Sequence, residues 1–136
     1  MAQTYDLILK GGTVVNHDGE SVRDLAIAAG RIAAIGDVGS AAAETIDCKA
    51  LHILPGVIDS HVHFREPGLT HKEDLESGSR GAVLGGVTAV FEMPNTDPTT
   101  TNAEAVADKV RRGHHRMHCD FAFYVGATRE NTHELG

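Results

Sequence analysis

The chain of 136 residues is 41% hydrophobic and 23% charged, which is typical of a folded globular protein and excludes a disordered tail or a collagen-like repeat. Nineteen acidic residues against twelve basic ones give a net charge of -7, so no basic surface for nucleic acid or anionic lipid is expected. No apolar run reaches the roughly 18 residues of a membrane helix, and the start lacks a signal-peptide pattern. A cytoplasmic protein without a membrane partner is predicted.

Residues 1–54 predict a small β-rich domain. Short apolar runs alternate with glycine-containing turns, and the turn residues at 16–19 and 29–30 predict β-hairpins. Cys48 and Cys119 lie far apart in strand-like runs, which indicates two reduced core residues rather than a disulfide or a metal knuckle. This part of the chain shows no pattern with evident chemistry.

Residues 55–136 predict alternating strands and helices, and therefore an α/β fold with parallel strands. The spacing of Thr101 and Glu104 predicts a capping box at the start of the second helix. The predicted elements are a strand that begins near residue 57, a helix over 72–84, a strand over 87–93, a helix over 102–112 and a strand over 118–125.

Two histidines follow the first of these strands, in the segment Asp59-Ser-His-Val-His-Phe-Arg-Glu-Pro-Gly68. Residues two apart on a strand point to the same face, so His61 and His63 can turn ring nitrogens toward one ion, and imidazole is a good zinc ligand. Asp59, one period earlier, can accept a ring proton from a ligand histidine or coordinate directly. Hydrogen bonding without any metal is the alternative for this pair.

Two further polar residues follow the predicted strand ends. Arg65 beside a cation site suggests an anionic substrate bound by the guanidinium, and a surface salt bridge with Glu66 is the alternative. Asn95, in Met93-Pro-Asn-Thr96, follows the next strand, so it should project from the same edge of the sheet. A simple turn-forming role is the alternative for Asn95.

With these residues in view, the chain resembles the N-terminal third of a class I dihydroorotase of the amidohydrolase superfamily. The resemblance is carried by the segment that ends in His-Val-His-Phe-Arg-Glu-Pro-Gly68, by Glu76-Ser-Gly-Ser-Arg-Gly-Ala-Val-Leu-Gly-Gly-Val-Thr-Ala89 and by Met93-Pro-Asn-Thr96. It implies strands of a small β-sandwich domain (residues 1–54) before the first βα units of a (β/α)8 TIM-barrel metal-dependent hydrolase (residues 55–136). It also implies metal ligation by His61 and His63 and substrate binding by Arg65 and Asn95.

The implied reaction is zinc-dependent hydrolysis of the cyclic amide of L-dihydroorotate, and the reverse cyclisation of N-carbamoyl-L-aspartate in pyrimidine synthesis, with one or two zinc ions. An allantoinase or hydantoinase, or a catalytically silent scaffold subunit, is the alternative. A whole barrel takes about 200 to over 400 residues, so the chain is expected to be truncated. The catalytic aspartate is expected beyond Gly136, the chain alone is expected to be inactive, and a homodimer or association with the remaining barrel is expected.

Overall fold

The computed structural model describes residues 4–39 and 41–135 and divides the chain into two compact units, Met1–Pro55 and Gly56–Gly136. Among the described residues, no helix combines the length and the apolar character needed to cross a membrane. The strands of the first unit are β1 (Tyr5–Asn16), β2 (Gly19–Ala28), β3 (Arg31–Gly36), β4 (Ala42–Asp47) and β5 (His52–Ile53). The second unit contains β6 (Val57–Val62), α1 (Leu75–Leu84), β7 (Val87–Glu92), α2 (Ala103–Gly113), β8 (Asp120–Phe123) and a 3-10 turn (Thr132–Glu134).

The first unit is one mixed sheet with strand order β3-β2-β1-β4, and β5 also pairs with β1. The β1–β2 and β2–β3 pairs are antiparallel, whereas β4 and β5 run parallel to β1. Ala29 and Gly30 connect β2 to β3 with φ of 51° and 70°, which is the two-residue turn that matches strand twist. Ile8, Val14, Leu25 and Ala26 are its buried apolar residues near the β1–β2 pair.

The second unit is a β-α-β-α-β series with three parallel strands in the order β6-β7-β8, which confirms the predicted α/β arrangement. Phe64, Leu75 and Val90 form its buried apolar cluster. A Cβ at Gly78 would collide with the Phe64 ring, so the glycine allows α1 to approach the segment that follows β6. This close packing places the loop after His63 directly on the first helix.

Helix α1 begins three residues later than predicted because Asp74 is its N-cap. The Asp74 carboxylate accepts from the Ser77 backbone N–H at 2.8 Å, and the Asp74 N–H donates to the Ser77 hydroxyl at 3.2 Å, so the two residues form a capping box. The helix ends at Gly85 and Gly86, and Gly86 has a φ of 86°. The glycine stop that the sequence predicts is therefore confirmed.

The predicted capping box at Thr101 and Glu104 is wrong. Asn102 is the N-cap of α2: it has an extended backbone, with φ of -151°, and its side-chain oxygen accepts from the Ala105 N–H at 2.8 Å. The Thr101 carbonyl accepts a hydrogen bond from Asn131 instead. Asparagine competes well with threonine for the N-cap position, so the helix begins one residue further along.

Candidate functional site

The candidate site lies at the carboxyl end of β6, where the strand is irregular. Asp59 pairs with Val90 and Val62 pairs with Glu92, so β6 has one residue more than β7 over this interval. The Asp59 carboxylate accepts a hydrogen bond from the His61 backbone N–H at 3.0 Å. A bulge of this kind redirects side chains at the end of a strand. His61 lies within this irregular interval, and His63 follows it.

His61 and His63 lie side by side at this strand end. Their ring centroids are 5.2 Å apart and their planes make an angle of 64°. His61 is exposed and His63 is half-buried. Their spacing along the strand predicts that the two rings are neighbours, and the structure brings them together.

Asn95 contacts His63 from the loop that follows the next strand. Its side-chain Oδ1 lies 2.8 Å from Nδ1 of His63, so the loops after β6 and β7 meet as predicted. Asp59 was one candidate partner for a ring nitrogen, but its carboxylate is bound to the backbone N–H of His61. The partner of the His63 ring is therefore Asn95.

Arg65 lies between two buried neighbours. Phe64 is 6% exposed and Glu66 is 5% exposed, while Arg65 is half-buried and has a φ of 62°. A left-handed conformation at a residue with a side chain costs about 1–2 kcal/mol and persists only where the surroundings impose it. The buried residues on either side supply that constraint.

The salt bridge considered between Arg65 and Glu66 is not formed. The Glu66 carboxylate is bound by Arg116 through two hydrogen bonds of 2.8 and 3.1 Å, and it accepts from the Leu75 backbone N–H at 3.1 Å. Arg112 lies 3.7 Å from the same carboxylate. Within the part of the chain that the structure describes, the Arg65 guanidinium makes no hydrogen bond or ion pair.

Burial would raise the pKa of Glu66, but the Arg116 guanidinium and the Leu75 backbone N–H together outweigh it and hold that pKa below its ordinary value. Glu66 is therefore a carboxylate at neutral pH. It connects the loop that carries Arg65 to the first turn of α1 and to the segment after α2. Sequence reasoning missed this role, because Arg116 lies far along the chain.

The loops after β6 and β7 are also held together through their backbones. The Asp97 N–H donates to the Pro67 carbonyl at 3.1 Å, and the Met93 N–H donates to the Val62 carbonyl at 3.0 Å. Gly68 has a φ of 101°, and a Cβ there would collide with Asp97. Only glycine allows these two loops to approach so closely.

The loop after β8 joins this edge through Asn131, which is 7% exposed. Its side-chain amide donates to the carbonyls of Thr101 and Gly126 at 2.6 and 2.8 Å, and its side-chain oxygen accepts from the Thr128 N–H at 2.7 Å. All three loops at the carboxyl end of the sheet are thus fixed by specific contacts. The sequence offered only an asparagine near a turn as a signal for this residue.

The donor set fits part of a zinc site. Two imidazole rings at the end of one strand are suitable ligands, and one of them already has its second nitrogen bound to an amide oxygen. Across residues 4–39 and 41–135, no three His, Cys, Asp or Glu side chains converge on one point. Zinc takes at least three protein ligands in catalytic sites, so His61 and His63 would by themselves supply only part of such a site.

The histidines at 114, 115 and 118 do not form a second cluster. His114 is the C-cap of α2, and its ring packs against that of His115 at a centroid distance of 3.9 Å. The His118 ring lies 3.0 Å from the Glu76 carboxylate instead. Each of these three histidines therefore has a protein contact of its own.

The consecutive parallel βα units place the chain in the α/β class. Its candidate-site residues follow the carboxyl ends of the strands, which is where proteins with parallel βα units commonly carry their functional loops. The chain belongs to the amidohydrolase family, because the model of that family matches residues 52–134, which is more than half of the chain.

Curated relatives are allantoinases. The chain is 40% identical over 134 residues to an allantoinase of Deinococcus radiodurans, covering 97% of this chain and 30% of the relative. It is 45% identical over 124 residues to an allantoinase of Rubrobacter xylanophilus, covering 90% and 27%. The chain therefore spans about 30% of the length of the curated relatives that it matches.

Similar solved structures are hydantoinases. An L-hydantoinase (dihydropyrimidinase) from Arthrobacter aurescens superposes with a TM-score of 0.89 at 34% identity, over 97% of this chain and 30% of that one. A D-hydantoinase from Bacillus sp. AR9 superposes with a TM-score of 0.80 at 28% identity, over 96% and 30%. The expected superfamily is confirmed, and these comparisons favour the allantoinase and hydantoinase alternative over dihydroorotase.

Proposed function

We propose that the chain contributes to a metal-dependent hydrolase that opens a cyclic amide ring of the allantoin or hydantoin type. The observation that carries this proposal is the pair His61 and His63, 5.2 Å apart at a strand end, in a chain 40% identical to an allantoinase. His61 and His63 would hold zinc, which supplies Lewis acidity and lowers the pKa of water when bound. Further ligands and the catalytic aspartate are proposed to lie outside these 136 residues.

The role proposed for Arg65 is recognition of an acidic group on the substrate. Its guanidinium has no ionic partner among the described residues, and Glu66, the neighbouring carboxylate, is already bound by Arg116. An uncommitted guanidinium in a fixed loop can bind a carboxylate through two parallel hydrogen bonds. Asn95, 2.8 Å from His63, lies at the same edge and can contribute an amide to the same substrate.

This observation favours dihydroorotate as a second candidate substrate, because dihydroorotate carries a carboxylate and the hydantoin ring carries none. The two candidates share the ring-opening chemistry and differ in charge. Arg65 is therefore the residue whose substitution separates them.

The test compares the turnover of hydantoin, allantoin and dihydroorotate by the intact gene product, with metal content measured on the same sample. His61→Ala should abolish zinc occupancy and turnover of every substrate, and normal zinc content in that variant would reject the proposed site. Arg65→Ala should raise KM for dihydroorotate by about 10–100-fold, since hydrogen bonds between charged groups contribute about 1.5–3 kcal/mol. It should leave the KM for hydantoin within about twofold.

Arg111→Ala is the matched control for the loss of a surface arginine. Arg111 is exposed on α2 and pairs only with Asp108 among the described residues, at 3.2 Å. All kinetic constants should stay at their original values in this variant. If Arg65→Ala changes dihydroorotate turnover no more than Arg111→Ala does, the role proposed for Arg65 is rejected.

Association with further βα units, or with a second copy, is proposed for the second unit. Ile58 on β6 is 65% exposed and Leu84 at the end of α1 is 84% exposed. Apolar side chains exposed in this way on a parallel sheet unit are usually covered by neighbouring strands and helices. Ile58→Asp should reduce self-association of the chain in sedimentation experiments, and unchanged association would contradict this proposal.

A further inference from the structure

The contact between Asn95 and His63 has a consequence for the protonation pattern of the histidine ring. A neutral imidazole carries one proton, which lies on either Nδ1 or Nε2. The Oδ1 atom of Asn95 lies 2.8 Å from Nδ1, and a carbonyl oxygen can only accept a hydrogen bond. Nδ1 must then carry the proton, which leaves the lone pair of Nε2 free.

The geometry points to Asn95 as a positioning residue that holds His63 in the Nδ1–H tautomer and thereby leaves Nε2 available to a cation. This inference rests on the proposed function, in which His63 is a metal ligand, and it assigns Asn95 a role beyond substrate contact. A metal-bound histidine commonly donates its second N–H to an oxygen acceptor, which fixes both the tautomer and the ring orientation.

The loop that carries Asn95 is fixed on both sides, so the acceptor has a defined position. Before it, the Met93 N–H donates to the Val62 carbonyl of β6 at 3.0 Å. After it, the Thr96 hydroxyl donates to the Pro98 carbonyl at 2.9 Å, and the Thr100 N–H donates to the Pro94 carbonyl at 2.9 Å. Thr96 is 8% exposed. Because this turn is already ordered, Oδ1 can accept the hydrogen bond from His63 without the conformational-entropy cost of ordering a mobile loop.

His61 differs from His63 in this respect. In the part of the chain that the structure describes, the ring nitrogens of His61 have no hydrogen-bond partner, and only its backbone N–H is bound, to Asp59. The two rings therefore experience different constraints although they lie 5.2 Å apart. His63 should occupy one tautomer, whereas His61 should exchange between both, which makes it an internal control.

The tautomers can be read by nuclear magnetic resonance on the 15N-labelled, metal-free chain at pH 8, through long-range couplings between ring protons and ring nitrogens. In the unsubstituted chain, His63 should show a protonated Nδ1 and an unprotonated Nε2, while His61 shows averaged signals. A protonated Nε2 on His63 would mean that Asn95 donates through its Nδ2 group, and would overturn the inference without any variant.

Two substitutions of similar size test the role of the acceptor. Asn95→Leu removes it, so the His63 signals should move toward the averaged pattern of His61. Asn95→Asp keeps an oxygen acceptor and should preserve the Nδ1–H tautomer. An unchanged His63 tautomer in Asn95→Leu contradicts the positioning role.

Zinc chloride added to the same samples gives a second measurement. Substitution of residues that orient a metal ligand typically weakens metal binding by about 10–100-fold. The apparent Kd for zinc should therefore rise about tenfold or more in Asn95→Leu and should not rise in Asn95→Asp, and equal Kd values in all three chains would contradict the inference. None of these readouts uses catalysis, so a failed turnover assay and a failed tautomer assignment are distinguishable.

Discussion

The buried ion pair between Glu92 and Lys109 gives the sharpest prediction about stability. Each side chain is 1% exposed, and the carboxylate and the ammonium lie 3.0 Å apart between β7 and α2. Neither oxygen of Glu92 receives a well-aligned hydrogen bond from the described residues. The ion pair is therefore the main interaction that offsets the lost hydration of the carboxylate.

Lys109→Met should remove this compensation while filling a similar volume. Loss of one partner from a buried ion pair costs about 3–5 kcal/mol. Burial already raises the pKa of Glu92 against the opposing effect of Lys109, and the substitution should raise it further.

The sign of the pH dependence follows from this direction. Above the ordinary carboxyl pKa of 4.5, the unfolded chain has released the Glu92 proton while the folded variant still holds it. Stability of the variant should therefore increase as pH falls from 8 toward 5, by up to about 1.4 kcal/mol per pH unit over the range in which only the folded state is protonated. The unsubstituted chain should show the same trend more weakly.

Urea unfolding followed by circular dichroism at pH 5 and pH 8 measures both effects. The double variant Glu92→Gln and Lys109→Met has no charge at these two positions, so it should recover most of the lost stability and lose the pH dependence that Glu92 causes. A loss below about 1 kcal/mol at pH 8 in Lys109→Met, far under the range for a broken buried pair, would refute the reasoning. So would a loss of the same size at pH 5 and pH 8.

Two further predictions concern the loops of the candidate site. Glu66→Gln should cost about 1–3 kcal/mol at pH 7 by weakening the contact with Arg116. Since the pKa of Glu66 is lowered in the fold, this cost should disappear as pH falls from 4.5 through the folded-state value, and an equal cost at pH 7 and pH 3 in thermal melts would contradict the assignment. Gly68→Ala should destabilise the chain by about 1–3 kcal/mol because of its collision with Asp97 and its positive φ. Gly81→Ala, in open space on α1, should stabilise it by about 0.5–1 kcal/mol, and equal melting points for the two alanine variants would rule out the close approach of the loops.

The parts of the fold that follow from local chemistry were predictable. Ala29 and Gly30 form the turn that their sequence indicates, and Gly85 and Gly86 end α1 where predicted. The strand that carries His61 was also predictable, because an apolar run before a polar cluster is a local pattern. In each case a few neighbouring residues decide the conformation.

The alternatives that the sequence left open are decided by tertiary contacts. The Arg65–Glu66 salt bridge considered from the sequence is replaced by a pair between Glu66 and Arg116, which are brought together only when the segment after α2 packs against the loop after β6. In the same way, Asn95 rather than Asp59 contacts the ring of His63, because the bulge in β6 directs the Asp59 carboxylate to the backbone. Spacing along one strand gives no information about a partner supplied by the next.

The same loop geometry explains why a prediction of the chemistry and a prediction of the substrate depend on different residues. Phe64 and Glu66 are buried on either side of Arg65, and their contacts lie with α1 and Arg116, so the backbone at position 65 is fixed by its neighbours rather than by its own side chain. Under the proposed function, a change of residue at this position would alter the charge presented to the substrate and leave His61 and His63 in place. Under that proposal the histidine pair predicts the chemistry, whereas the residue at position 65 predicts the charge of the substrate.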